Sequence, residues 1–186
     1  AGKGRCDMAL IRRACPSDAM GIAILNGYVW KTTYTGLLPD AFIDERLHRL
    51  RERADNARKT IERDNACFVA EEDGSIVGFC MYGPLNRDAA SDMGEIYALY
   101  VADGLQGEGL GRALFQAAAL ALAVMGYDRM RINCLKGNPA LNFYRKMGGT
   151  AIGERVDEVN GVTMTETVLE FRDLPAHSAD VDIRRT

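Results

Sequence analysis

The stretch EIYALYVADGLQGEGLGRALFQAAALALAVM, residues 95–125, decides the fold of this chain. Residues 95–101 form a nearly continuous apolar and aromatic run, which is typical of a strand buried on both faces. After the glycine-rich segment, apolar side chains from Leu110 to Met125 recur on one helical stripe, and Gly126 marks a helix end. The stretch therefore predicts a strand, a glycine turn and a helix in direct succession.

Gly107, Gly109 and Gly111 lie where the turn enters the helix. Glycine lets a ligand approach the backbone closely, and the first N–H groups of a helix have no partner inside it. Because such a helix end attracts anions, the turn predicts a diphosphate cradle, unless the glycines serve only the geometry of a tight turn. No Gly-Lys-Ser/Thr completes a nucleotide-triphosphate loop, and no acidic residue follows at the spacing of a dinucleotide fold.

The composition is typical of a soluble globular domain. The chain of 186 residues has 47% apolar and 26% charged residues, which favours one domain with one core. A net charge of -3 and a pI near 5.5 provide no basic field, so we expect no nucleic-acid partner. No apolar run reaches the roughly 18 residues of a membrane span. No charged and apolar leader begins the sequence, so we expect no membrane association and a cytoplasmic location.

The five cysteines are odd in number and scattered: Cys6, Cys15, Cys67, Cys80 and Cys134. No cysteine or histidine spacing matches a metal site, so we expect no metal and mostly buried thiols in a reducing compartment. His48 and His177 lie in no recognisable acid–base arrangement with serine or cysteine. Cys134 is a covalent candidate, against the simpler interpretation of core packing.

The remaining segments complete the pattern of helices and strands. Ahead of the opening stretch, they predict a strand at 9–14, a helix from Pro16 to about Trp30, a loop at 32–38, a helix from Pro39 to about Ile61, and a hairpin at 67–70 and 76–81. Behind it, they predict a strand at 129–135, a short helix at 138–147, and a hairpin at 150–156 and 162–171. The face of the helix at 39–61 that carries alternating Arg and Glu is typical of a solvated surface.

The order of these elements predicts an α/β (α+β) fold. We expect a single domain over 9–172, with a central twisted, mixed and mostly antiparallel sheet of about six to seven strands and helices on both faces. Residues 1–8 are small and polar and predict a flexible N-terminus. Residues 173–186 predict a polar C-terminal tail.

Three motifs occur in a fixed order along the chain. They are the strand Glu95–Val101, Gln106-x-x-Gly109-x-Gly111-Arg112 at the start of the long helix, and Asn138 with Ala140-x-x-Phe143-Tyr144-x-x-Met147-Gly148. In these motifs the chain resembles the GCN5-related N-acetyltransferase (GNAT) superfamily over about 9–171. Residues 30–39 look like the bacterial small-molecule members of that superfamily. It departs from the family pattern at Asp103, where many members carry proline, and at Gly149, where an aromatic residue is common.

The resemblance implies acetyl-CoA as the cofactor and no metal. The implied cofactor-binding residues are Leu99, Tyr100, Val101, Gln106, Gly107, Glu108, Gly109, Leu110, Gly111, Arg112, Asn138 and Tyr144. In the family the central strand splays from its neighbour and offers its main chain to the pantetheine arm, which here points to Leu99 and Val101. The N–H of Leu99 would then polarise the thioester carbonyl in the manner of an oxyanion hole.

Two side chains are candidates for catalytic proton transfer. An amine must lose a proton before it attacks, and the resemblance implies Glu95 as the base, directly or through water. The alternatives for Glu95 are a solvated carboxylate at a strand end and an anchor for the substrate ammonium. The leaving thiolate benefits from a hydroxyl donor, and the resemblance implies Tyr144 as the acid, with ordinary aromatic packing as the alternative. We expect direct transfer in a ternary complex.

The acceptor pocket has the fewest sequence signals. In the family, the loop between the first two helices and the last hairpin commonly shape this pocket. The resemblance therefore implies as candidate walls Tyr28, Trp30, Tyr34 and Phe42, with core packing as an equal alternative for each, and Glu95 as a further candidate contact. The resemblance implies a primary amine of a small molecule, such as an amino acid, an amine-bearing metabolite or an antibiotic. The alternatives are a protein acetyltransferase that acts on a lysine or an N-terminus, and a sensor that binds acetyl-CoA without turnover. Family habit slightly favours a homodimer over a monomer.

Overall fold

The structure, a computed structural model, describes residues 9–175. The predictions for 1–8, for Cys6 and for the tail from 176 onward, including His177, lie outside the described residues. In chain order the elements are β1 (Leu10–Arg13), α1 (Ala19–Tyr34), α2 (Asp40–His48), α3 (Leu50–Asp64), β2 (Cys67–Glu72), β3 (Ser75–Pro84), β4 (Gly94–Val101), α4 (Leu110–Val124), β5 (Met130–Leu135), α5 (Ala140–Lys146), β6 (Thr150–Val159) and β7 (Val162–Phe171).

The strands form one seven-stranded sheet in the order β1-β2-β3-β4-β5-β7-β6. β4 and β5 are parallel, and the other neighbouring pairs are antiparallel. Helices α1 and α3 bury Ile22 and Ile61 against one face, whereas α4 and α5 bury Leu114 and Tyr144 against the other. Leu174 also packs in the second core, so the packed chain extends past the expected boundary at 172. The predicted mixed sheet with helices on both faces is confirmed.

The β4 and β5 strands separate soon after they begin. Their pairing consists of Gly94 with Met130 and Glu95 with Arg131. β5 then pairs with β7 along its whole length, while the rest of β4 pairs only with β3. The two parallel strands therefore open into a V in the middle of the sheet, and the later main chain of β4 borders this opening.

A β-bulge in β4 changes which side chains face each helix layer. Met81 of β3 pairs with Ala98, and the next residue of β3 pairs with Ile96, so Tyr97 has no partner in the register. A bulge bends a strand and increases its local twist. Ile96 and Leu99 consequently both pack in the core beneath α4, while Ala98 packs in the core beneath α1.

Helix α1 continues to Tyr34 instead of ending near Trp30, so the start of the predicted loop at 32–38 is wrong. Thr32 Oγ1 donates to the Val29 carbonyl at 3.2 Å, and such side-chain bonds let threonine stay in a helix. Tyr34 is the last residue of the helix, because the next residue, Thr35, leaves the helical conformation with a φ of -57° and a ψ of 126°. This extra turn carries Tyr34 into the middle of the molecule.

The single helix predicted over 39–61 is two helices, because the chain bends at Arg49, with φ -95° and ψ 30°. The break reorients the two charged segments relative to each other. Much of the Arg and Glu face is solvated as predicted, but the expectation is wrong for Arg46 and Arg53, which are half-buried. Within residues 9–175, no helix is long and apolar enough to cross a bilayer.

Candidate active site

A cavity of about 770 Å³ occupies the opening between β4 and β5. Its walls come from the end of α1, β4, the glycine turn, β5 and α5. The predicted site residues that line it are Tyr34, Leu99, Tyr100, Val101, Gln106, Gly107, Gly109, Gly111, Arg112, Asn138 and Tyr144. The predicted residues outside the lining are Tyr28, Trp30, Phe42, Glu95, Glu108 and Leu110. The fold thus brings most of the expected cofactor residues to one space.

The glycine turn has the geometry of an anion cradle. Gly107 and Gly109 have φ values of +91° and +87°, a left-handed conformation that L side chains rarely adopt. A Cβ added to either glycine would meet no protein atom within 4 Å, so the space in front of the turn is open. Ala113 N–H bonds Gly109 O at 3.0 Å, and the amides that precede Ala113 in the first turn of α4 have no acceptor inside the helix. Their number and direction fit a diphosphate.

The edge of β4 offers further main-chain groups to the cavity. Ala102 N–H donates to Val77 O at 2.8 Å. Alternate residues of an antiparallel strand point the same way, so the amides and carbonyls of Leu99 and Val101 point away from β3 and toward the V. Gln106 Nε2 donates to Val101 O at 3.4 Å. An extended ligand arm can therefore lie along β4 as an additional strand would.

Tyr144 lies on α5 with its side chain 6% exposed, and it lines the cavity. Burial raises its pKa well above the usual range, so its hydroxyl remains protonated and able to donate at neutral pH. Asn138 helps to fix the start of α5, because its Oδ1 accepts the Ala140 N–H at 2.9 Å. The Asn138 amide also donates to Tyr34 Oη at 3.3 Å, which links the cofactor side of the cavity to α1.

On the α1 side, a group of aromatic side chains borders the cavity. The Tyr34 and Tyr100 hydroxyls are 3.5 Å apart, and burial raises the pKa of both. Trp30 packs behind Tyr34, edge to face, with ring centroids 4.4 Å apart. Tyr28 is 54% exposed on the outer face of α1, and Phe42 is buried beneath α2. Of the four predicted acceptor walls, only Tyr34 reaches the cavity.

Glu95 lies at the closed end of the V, where β4 still pairs with β5. It is 7% exposed, and one of its oxygens accepts the Asn86 N–H at 2.7 Å. Burial raises its pKa, while the Asn86 hydrogen bond and then Arg155, among nearby arginines, oppose that rise. The interpretation of Glu95 as a solvated strand-end carboxylate is therefore wrong, because the strand end is covered by the segment after β3. Its neighbour Ile96 lines the cavity.

Thr32, Thr33 and Lys146 are among the lining residues that were not predicted from the sequence. The two threonines reach the cavity because α1 continues past its expected end. Lys146 follows Phe143 by three residues on α5, and residues three apart share a helix face. The spacing from Phe143 was the signal that could have identified Lys146.

The described cysteines do not form a nucleophilic site. Cys67, Cys80 and Cys134 are buried as expected, whereas Cys15 is exposed. Burial raises the pKa of Cys134 to about 11, so this thiol stays protonated at neutral pH and is a poor nucleophile. Over residues 9–175, no group of three or more His, Cys, Asp or Glu side chains is placed to hold a metal ion.

Comparison with known proteins identifies the family. The acetyltransferase (GNAT) family matches residues 30–149. The uncharacterized N-acetyltransferase YuaI of Bacillus subtilis (strain 168) is 29% identical over 170 residues, which are 91% of this chain and 96% of that protein.

Two solved structures share the fold. PaiA N-acetyltransferase from Thermoplasma acidophilum, in complex with coenzyme A, has a TM-score of 0.68 at 18% identity, over 88% of this chain and 98% of that chain. The structure of yncA from Salmonella typhimurium, with its cofactor acetyl-CoA, has a TM-score of 0.65 at 21% identity, over 91% and 96% of the two chains. With the family match spanning more than half of its length, the chain belongs to the acetyltransferase (GNAT) family.

Proposed function

We propose that this N-acetyltransferase transfers the acetyl group of acetyl-CoA directly to the primary amine of a small molecule. The observation that carries the proposal is the single cavity of about 770 Å³, which joins the glycine turn and β4 on one side to Tyr34 and Tyr100 on the other. Groups proposed for the donor and for the acceptor therefore border the same space. Direct transfer in a ternary complex therefore needs no covalent enzyme intermediate.

The main chain is the proposed holder of the donor. Acetyl-CoA supplies a thioester whose carbonyl carbon is the electrophile. The unpaired amides around Gly109 and Gly111 hold the diphosphate, and the β4 edge at Leu99 and Val101 holds the extended arm. The Leu99 N–H donates to the carbonyl oxygen, where a well-placed donor is worth about 100-fold or more in rate.

Glu95 is the proposed base. It does not line the cavity, so it accepts the amine proton through a water molecule. Its raised pKa makes it a stronger base than a solvated carboxylate, while the positive charge of Arg155 favours the ionised form. The same carboxylate cannot be a direct anchor for the acceptor ammonium without a side-chain movement toward the cavity.

Tyr144 is the proposed acid. Its buried hydroxyl stays protonated, as a donor to the departing sulfur requires. Phe143 packs edge to face against the Tyr144 ring, with the two ring centroids 5.4 Å apart. Cys134 lines the same cavity. Burial thus keeps the proton on the phenol at neutral pH.

The α1 side of the cavity, which Tyr34, Thr32 and Thr33 line, is the proposed place of a small acceptor. Tyr34, Leu38, Phe42 and Ile43 form a small core there, and Met164 of β7 packs against it. The cytoplasmic location and the monomer or homodimer stay predictions.

The test is a free-thiol release assay with acetyl-CoA across a panel of amines, amino acids and peptides. Wild type should release thiol with one class of small amines, and Glu95→Gln and Tyr144→Phe should lower kcat with the same acceptor. Tyr28→Phe is the matched control, because Tyr28 is exposed and outside the cavity. Thiol release with peptides alone would favour a protein acetyltransferase. Tight acetyl-CoA binding without thiol release for any acceptor in the panel would favour a sensor.

A further inference from the structure

Arg46 on α2 and Arg53 on α3 lie half-buried without an acidic partner. The neighbouring arginines on these helices are paired, since Arg49 bonds Glu45 at 2.9 Å and Arg58 bonds Asp55 at 3.2 Å. Arg46 and Arg53 form no salt bridge with any residue that the structure describes. The Arg46 Nε is also buried and has no hydrogen-bond acceptor in the described chain.

This arrangement is electrostatically unfavourable in the free protein. Burial lowers the pKa of Arg46 to about 10, and the positive charge of Arg53 lowers it further. Burial also lowers the pKa of Arg53. Two like charges removed from water and left unpaired destabilise a fold, whereas an anion placed between them would compensate both. The pair therefore has the character of an incomplete ion-binding site.

The position of the pair relates it to the acceptor side of the active site. The Arg46 guanidinium lies over the Trp30 ring, 3.7 Å from its centroid, and Trp30 packs directly behind Tyr34. The positive charges of Arg46 and Arg53 also act on the Tyr100 hydroxyl, lowering its pKa against the effect of burial. Tyr34 and Tyr100 both line the main cavity. The arginine pair is thus one aromatic layer away from the proposed acceptor.

A second, smaller cavity of about 180 Å³ opens beside the pair. It is lined by Phe42, Glu45, Arg46, Arg49, Arg53, Val159 and Asn160. Glu45, the one carboxylate in this lining, is bonded to Arg49, and Glu52 raises the pKa of Arg53 without forming an ion pair. Neither Arg46 nor Arg53 therefore has an ion-pair partner in this cavity. The size suits a carboxylate or a phosphate, and the guanidinium fork matches either oxyanion.

Resting on the acetyl transfer proposed above, we infer that the acceptor is a primary amine that also carries an oxyanionic group, and that Arg46 and Arg53 bind this group. The tip of the β6–β7 hairpin, at Val159 and Asn160, covers the same space from the other side. The amine end of the acceptor extends past Trp30 and Tyr34 into the main cavity. The distance between the oxyanion and the amine then selects among acceptors.

The first experiment compares matched acceptors in the thiol-release assay. A series of ω-amino acids of increasing length is measured against their primary amides, with O-phosphoethanolamine as the phosphate arm. For the favoured length, kcat/KM should be about 10- to 100-fold higher for the oxyanion than for the amide, the range expected for a charged hydrogen bond. If O-phosphoethanolamine is a better acceptor than every ω-amino acid, the oxyanionic group is a phosphate and not a carboxylate.

Variants assign this preference to the pair. Arg46→Gln and Arg53→Gln should raise the KM of the oxyanionic acceptor about 10-fold or more and leave kcat and the KM of acetyl-CoA nearly unchanged. Arg46→Lys should restore part of the loss. Arg58→Gln is the control on α3, since Arg58 is exposed and paired with Asp55. Equal use of acids and amides by wild type, or equal losses for both in the variants, would overturn the inference.

A second measurement does not depend on turnover. With coenzyme A saturating, sodium malonate or phosphate should raise the unfolding temperature of wild type above its value in sodium chloride at equal ionic strength. The shift should disappear in Arg46→Gln and Arg53→Gln and persist in Arg58→Gln. The same shift in all variants, or no shift in wild type, contradicts the site. If no amine in the panel yields thiol, the proposed acetyl transfer fails, while the malonate shift still decides the arginine pair.

Discussion

The two sides of the cavity are built from different kinds of atoms. The cofactor side uses main-chain groups from one contiguous stretch, 95–112, in which glycines expose the amides and a V in the sheet exposes the β4 edge. The proposed acceptor side uses side chains that distant segments bring together, such as Tyr34 from α1 and Tyr100 from β4. The residues of the proposed cofactor side are therefore neighbours in the sequence, whereas those of the proposed acceptor side come together only when the chain folds.

The largest expected effect comes from Gly109→Val. The φ of +87° strains any L residue, and the valine methyl groups would occupy the open space in front of the turn. We expect acetyl-CoA affinity to fall by about 100-fold or more, measured by calorimetry. Gly74→Val is the matched control: its φ is +77°, and it also has no atom within 4 Å, but it lies in the β2–β3 turn. Equal affinity losses in both variants would show that strain alone is responsible.

Tyr144→Phe should have the next largest effect. The variant keeps the aromatic packing on α5 but loses the hydroxyl, so kcat should fall about 100-fold with little change in acetyl-CoA affinity. Steady-state kinetics together with calorimetry separate the two quantities. A kcat within twofold of wild type would leave Tyr144 with only a packing role.

Glu95→Gln should change the pH profile as well as the rate. A base works when ionised, so wild-type kcat/KM should fall as the pH drops through the raised pKa of Glu95. In the variant the limb at the pKa of Glu95 should disappear and leave only the pH dependence of the acceptor amine, and the rate above that pKa should be about 10-fold lower. An unchanged acidic limb in Glu95→Gln would assign the titration to another group.

The stability of Glu95→Gln provides a control for unfolding. A carboxyl whose pKa is raised in the folded state stabilises the protein at low pH, and this contribution is lost as the pH rises through that pKa. At pH 8 the uncharged glutamine should therefore leave the unfolding temperature equal to or above that of wild type. A lower unfolding temperature would attribute the rate loss to damage of the fold.

Leu99→Ala should have the smallest effect on turnover. Its main chain faces the V, and the substitution leaves its N–H in place, so kcat should change by less than about threefold. Its side chain packs in the core beneath α4, so the free energy of unfolding should fall by about 2 kcal/mol. A large loss of kcat in a folded variant would show that the side chain, not the amide, contacts the donor.

The sequence predicted the sheet well, because its signals are local. For the same reason, most of the proposed cofactor residues of β4 and the glycine turn line one cavity. Glycine conformations and the apolar stripe at 110–125 belong to adjacent residues. The sequence prediction failed at the end of α1, where the Thr32 hydrogen bond to Val29 accompanies a longer helix. It also failed at Arg49, where a bend divides one predicted helix into two. The arginine pair could not be foreseen, because the sign alternation of 39–61 looks the same whether Arg46 faces water or Trp30.

A structure with coenzyme A and the best acceptor of the matched series would show directly whether one cavity joins the proposed cofactor side to the proposed acceptor side. We expect the diphosphate on the amides around Gly109 and the pantetheine arm of coenzyme A along β4. We expect the acceptor on the Tyr34 side, with its oxyanion on Arg46. A diphosphate bound away from the glycine turn, or an acceptor whose amine lies outside the opening between β4 and β5, would contradict this arrangement.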